Sequence, residues 1–147
     1  MDVNHQKQVR LMTSFLVSYF SGLLLMLIID GVWLYLMIPR IYQKHLAHLL
    51  APSVNVWVAF ALYVLYAFGI YFLIVRQAAA QNMSLTATFG LGLVLGLTAY
   101  GCYDLTNQAT LKEWPTLVTV IDMIWGGLLT GFVAIGSTWI TRLFHRI

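Results

Sequence analysis

The sequence predicts an all-α membrane protein, a bundle of four transmembrane helices with both termini in the cytoplasm. Three observations predict it. The chain has 147 residues, 61% of them hydrophobic and only 9% charged, and a mean hydropathy of +0.82; soluble domains are ~45–50% apolar. Four apolar stretches are each long enough to cross ~30 Å of hydrocarbon, which takes roughly 20 helical residues. The basic residues collect at the ends of these stretches, with Lys7, Arg10, Arg76, Arg142 and Arg146 on one side and Arg40, Lys44 and Lys112 on the other. By the positive-inside rule the richer side is cytoplasmic.

Helix one is expected over residues 11–38. The polar, basic segment before it leads into an apolar run longer than the 7–15 residues of a signal-peptide core, with no small-residue cleavage site, so the helix is read as retained. Pro39 disfavours helical geometry at the residue before it and is read as the stop. The loop 39–53 carries Arg40, Tyr42, Lys44, His45 and His48, with room for a short interfacial helix. His45 and His48 would share one helical turn, but no third ligand lies near them, so no metal site is expected.

Helix two, residues 54–75, opens with Asn55 and Trp57 and carries Tyr63, Tyr66 and Tyr71 deeper down; residues 76–82 connect it to helix three, residues 84–104. Gly90, Gly92, Gly96 and Gly101 there, with Ala87 and Ala99, are read as allowing close helix approach in lipid. A polar loop from Asp104 to Trp114 follows. Pro115 suits the first position of helix four, residues 115–141, because its missing N–H leaves nothing unsatisfied; Arg142, His145 and Arg146 close that helix in the cytoplasm. With no linker or low-complexity segment, residues 1–147 read as one domain. Cys102, the single cysteine, excludes an internal disulfide or a cysteine-based cluster and is read as a small buried residue. No cofactor is implied, and a net charge of +3 that sits at helix ends is no nucleic-acid signature.

The functional signal is a repeated word, Asp30-Gly-Val-Trp33 and Asp122-Met-Ile-Trp125. A carboxylate within the hydrocarbon costs at least ~2.5–3.5 kcal/mol on insertion scales and marks a functional site by default. Helices rise ~1.5 Å per residue, so Asp30 lies ~28 Å beyond Leu11, Asp104 ~30 Å beyond Ser84, and Asp122 ~10 Å below Pro115 on a helix entering from the far side. All three carboxylates therefore reach one side, whichever way the protein is inserted. Trp33 and Trp125 each follow an Asp by three and share its face. With Tyr100, Tyr103, Asp104 and Asn107 from helix three, and Asn55 and Tyr63 from helix two, four helices would line one polar, aromatic-walled cavity. Its cationic neighbours would be Arg40, Lys44 and Lys112. The alternative is that these carboxylates only hydrogen-bond across helices, at ~0.6 kcal/mol per contact in membranes. The doubled word also admits an internal repeat of inverted topology, as in many transporters.

IDGVWL in helix one, ALYVLYAFGIYF in helix two, AYGCYDLTNQATLKEWP across helix three and its loop, and VIDMIWG in helix four carry a resemblance over essentially the whole chain. It resembles a family of small, four-helix bacterial inner-membrane proteins classed as a domain of unknown function. The resemblance implies a multi-pass location in that membrane and this architecture, and no catalytic residue. Three functions fit the residues. The first is binding or transport of a small cationic or polar ligand, with Asp30 and Asp122 as countercharges or proton carriers and a homodimer to complete a pathway. The second is a non-catalytic accessory subunit of a membrane complex that docks through the glycine face of helix three. The third is a membrane-embedded enzyme acting on a lipid or apolar metabolite through paired carboxylates; no Ser-His-Asp order and no intramembrane histidine support it.

Overall fold

A computed structural model describes residues 3–146. The side chains of His145 and Arg146, expected to close the last helix, lie outside the described ones. Among the described residues every element is helical, and four long apolar helices are of membrane-spanning length. Helix α1, Val3–Met37, continues through a wide turn, Ile38–Tyr42, into the short α2, Gln43–Leu46. Helix α3, Val56–Ile70, passes through a second wide turn, Tyr71–Val75, into α4, Arg76–Ala80; α5 spans Leu85–Thr110 and α6 spans Thr116–Arg146.

Several boundaries differ from the sequence expectation for physical reasons. Pro39 does not end the first helix. It sits at the start of the wide turn, where a missing N–H is harmless, and the chain stays helical because the Gln43 N–H donates to the Ile38 carbonyl five residues back. The polar string after Asp104 is helix as far as Thr110, and only residues 111–115 form the connection to the next helix. Thr110 Oγ1 donates to the Thr106 carbonyl of its own helix at 2.7 Å, and Gln108 Nε2 donates across to Thr116 Oγ1 at the start of α6 at 2.9 Å. Asn55 and Ser84 cap α3 and α5 by accepting from Val58 N–H at 3.2 Å and Ala87 N–H at 3.1 Å, each satisfying one of the orphan donors of a helix start. Cys102 is exposed, not buried.

Helix α6 is the centre of the bundle. Half of its apolar span, 50%, is buried, against 22% in each of the other three, and both α1 and α5 run along it, antiparallel. The α5 contact is made by glycine. A Cβ at Gly92 would lie 2.7 Å from the Gly131 Cα, and one at Gly96 would overlap the Gly126 carbonyl, so backbones meet directly as in small-xxx-small packing. The glycine face of α5 is thus occupied within this chain. Toward the termini, α1 and α6 are joined by hydroxyls: Ser137 Oγ donates to the Ser18 carbonyl at 2.6 Å, and Ser18 and Thr141 hydroxyls lie 2.8 Å apart. Met26, Ile70, Ile74, Leu129 and Val133 fill the core. Leu24, Ile28, Val94 and Leu65 are among the large apolar side chains left on the outside, the pattern of a bundle whose solvent is lipid.

Candidate functional site

At the bundle end away from the termini, the two Asp-x-x-Trp words of α1 and α6 meet. Because the helices are antiparallel, each word runs opposite to the other and the indoles cross between them. Trp33 and Trp125 stack with ring centroids 4.1 Å apart and planes 7° from parallel, a face contact worth roughly 0.5–1.5 kcal/mol beyond its buried area. One indole N–H reaches the opposite helix's carboxylate directly and the other reaches it through a phenol. Trp125 Nε1 donates to Asp30 Oδ1 at 2.8 Å, and the other oxygen of Asp30 accepts from the Tyr63 hydroxyl of α3 at 2.5 Å. Trp33 Nε1 donates to the Tyr42 hydroxyl at 3.1 Å, which donates to Asp122 Oδ1 at 2.5 Å. One continuous network therefore runs Tyr63, Asp30, Trp125, Trp33, Tyr42, Asp122.

Tyr42 is the residue that sequence reading leaves in a loop. Nine residues separate it from Trp33, which on a regular helix at ~100° per residue puts the two on opposite sides. The wide turn at Pro39 advances fewer degrees per residue and brings the phenol back over the indole. A second aromatic layer lies beneath. Thr130 Oγ1 donates to the Gly126 carbonyl at 2.7 Å, so its lone pair receives the Tyr66 hydroxyl at 2.8 Å. Tyr100 meets Tyr66 edge-on, centroids 6.4 Å apart, and its ring occupies the space that Gly126 leaves without a side chain.

Asp104 differs from the other two carboxylates. It is fully buried, at 0% exposure, and neither carboxylate oxygen has a hydrogen-bond partner. It lies one turn beyond Gly101, which packs against Met123, and its carboxylate is near enough to that of Asp122 to interact with it electrostatically. Asp122 is half-buried and interacts in turn with Asp30. The three carboxylates thus form a graded series, from doubly bonded Asp30 through singly bonded Asp122 to unpartnered Asp104.

The remaining expected residues stand apart. Asn55 is an exposed helix cap. Tyr103 is 62% exposed and lies edge-on to Trp114, centroids 6.0 Å apart. Asn107 is half-buried, and its backbone carbonyl accepts the Leu111 N–H that closes α5. Asn55 and Tyr103 are exposed, which depth alone does not resolve, whereas Asn107, three residues after Asp104, shares its face of α5. The basic loop residues do not neutralise the site: Arg40 donates to the Leu36 carbonyl on its own helix at 3.3 Å, and Lys44 and Lys112 are exposed. The partners of Asp30 and Asp122 are neutral N–H and O–H donors. Among the described residues no three His, Cys, Asp or Glu side chains group closely enough to hold a metal ion.

A crossed pair of Asp-x-x-Trp words in a four-helix membrane bundle is the chain's signature, and a family model described as "Predicted membrane protein (DUF2177)" matches residues 15–139. The chain belongs to this family. The matched span takes in α3 and α5 whole and most of α1 and α6, and contains the whole DUF2177 carboxylate network, from Asp30 to Trp125. No curated protein and no solved structure matches the chain. Membership establishes a membrane protein and leaves the chemistry of the DUF2177 site to be argued from its geometry.

Proposed function

We propose that the carboxylate end binds a small cationic or polar ligand, with Asp104 and Asp122 receiving it and Asp30 holding the aromatic frame. The observation that carries this reading is Asp104, buried with both oxygens unpartnered. Leaving a buried acceptor unsatisfied costs about 1–3 kcal/mol, more when charged, and an intramembrane carboxylate is kept where it is used. A ligand bearing N–H donors or positive charge supplies what the neighbouring neutral donors do not. Asp30, with two donors, has a positioning role: it ties α1 to α3 and α6 and so sets where Asp122 stands.

The loop-charge asymmetry supports an orientation with this site on the outer side of a bacterial inner membrane. Binding needs one chain; transport through so small a bundle would need a second copy. The test uses full-length protein in nanodiscs and thermal unfolding against sodium, potassium, ammonium, methylammonium and spermidine at constant ionic strength. At least one cation raises Tm in the unaltered protein, and the shift falls in Asp104→Asn. A response identical across the panel, or one unchanged in Asp104→Asn, overturns the reading. In proteoliposomes, cation-driven proton flux that is lost in Asp122→Asn supports transport, and no flux removes the transport version.

A further inference from the structure

The bundle end that carries the termini has a chemistry opposite to the carboxylate end. There α1, α4 and α6 border an open cavity of about 980 Å³ lined by Lys7, Arg10, Arg76 and Arg142, with Leu11 and Tyr71 among its less polar walls. Among the described residues four positive charges from three helices line one concavity, and no acidic side chain does. Converging cations repel one another, and a fold that keeps them together gains most when an anion joins them.

Arg142 is the fixed member of the set. One of its terminal nitrogens donates to both the Ala78 and Met83 carbonyls, at 2.6 Å each. Ala78 lies in α4 and Met83 in the connection to α5, so the guanidinium is clamped between the helix and the turn that follows it. Its partners are neutral, and the full charge is retained. Arg76 lies over the Phe72 ring at 4.5 Å from the centroid, a cation–π contact that steadies it without cancelling its charge. Lys7 and Arg10 are exposed on the extension of α1 beyond the apolar span. One half-buried cation, Arg142, and three exposed ones, Lys7, Arg10 and Arg76, suit a multiply charged anion entering from the membrane surface.

We propose that this cavity binds the phosphate of an anionic ligand, supplied by a lipid headgroup. Guanidinium groups match phosphate oxygens in pairs, and basic pockets between helices at the membrane surface suit phosphate-bearing headgroups with apolar walls beside them for the lipid's glycerol region. The site lies at the opposite end from the carboxylates and does not depend on what they bind.

The test measures binding to the full chain by native mass spectrometry, with phosphatidylcholine, phosphatidylglycerol and cardiolipin added to the detergent-solubilised protein. Anionic lipids bind at least tenfold more tightly than phosphatidylcholine. Arg10→Gln and Arg76→Gln each weaken that binding about five-fold, equivalent to the ~1 kcal/mol that a basic residue contributes near an anionic surface. Lys44→Gln and Lys112→Gln, which remove the same charge at the other end, leave it unchanged. A second arm adds inorganic phosphate or pyrophosphate to protein in phosphatidylcholine nanodiscs. A rise in Tm that Arg10→Gln and Arg76→Gln abolish, without an anionic-lipid preference, keeps the phosphate site and assigns it a soluble source. No preference in either arm, or equal losses in Lys44→Gln and Arg76→Gln, overturns the proposal.

Discussion

Replacing Asp30 by asparagine sets an amide N–H2 against either the Trp125 indole N–H or the Tyr63 hydroxyl, both of which donate to the carboxylate. One donor is then left facing another donor, and Asp30→Asn is expected to lower stability by about 1–3 kcal/mol, read as a fall in Tm in detergent. The same change at Asp104 removes a buried carboxylate that has no partner to lose, so Asp104→Asn is expected to leave Tm unchanged or raise it while reducing the cation response. Equal destabilisation by both substitutions would show that Asp104 has a structural partner and would sink its role as a ligand group. At this scale Asp30, Trp33, Asp122 and Trp125 were legible, because a three-residue spacing and a depth estimate are enough to bring them together. The bonds of Asp30 were not, since Tyr63 and Trp125 are specified by rotation of separate helices. Tyr42 was hidden by a proline whose usual effect is to end a helix.

Between α5 and α6 the separation is set by hydrogen atoms. Gly96 faces the Gly126 carbonyl so closely that any Cβ would overlap it, whereas a Cβ at Gly90 meets nothing within 4 Å. Gly96→Ala is therefore expected to push the helices apart and cost about 1–3 kcal/mol, as overpacking generally does. Gly90→Ala, on an open face of the same helix, should be neutral or mildly stabilising. Thermal unfolding of the two variants checks the contrast, and a Gly96→Ala protein as stable as the unaltered one refutes the direct backbone contact. The glycines were readable as a close-approach face; that the approaching helix is α6 of the same chain was not, because small residues look alike whatever they pack against. The string Asp104-Leu-Thr-Asn107 misled in the other direction. Its polarity resembles a loop, yet Asp104 is buried and Asn107 half-buried while Leu105 and Thr106 remain exposed, the one-sided burial of a helix end.

Taken whole, the bundle is chemically polarised, with three carboxylates at one end and a four-cation cavity at the other. Loop charge should orient it with the cationic end inward. In a Cys102→Ser background, Lys112→Cys is expected to react with a membrane-impermeant maleimide added to intact cells, and Gln6→Cys only after lysis; the reverse pattern inverts the protein. The four-span architecture was legible because hydropathy reports directly on the lipid solvent. The polarity of its two ends was legible only in part: the sequence aligned the carboxylates by depth but showed the cations as scattered helix-end charges, since the cavity that gathers them is made by helices far apart in the chain. The crossed words also join the earliest helix to the last. Asp30 waits for a donor 95 residues further along, and Asp122 and its Tyr42 partner are 80 residues apart. During synthesis, a chain that has delivered α1 through α5 still presents Asp30 to the bilayer with one donor short and leaves the glycine face of α5 uncovered. Insertion of α6 ends both conditions at once, so the completed site depends on the last helix to be made.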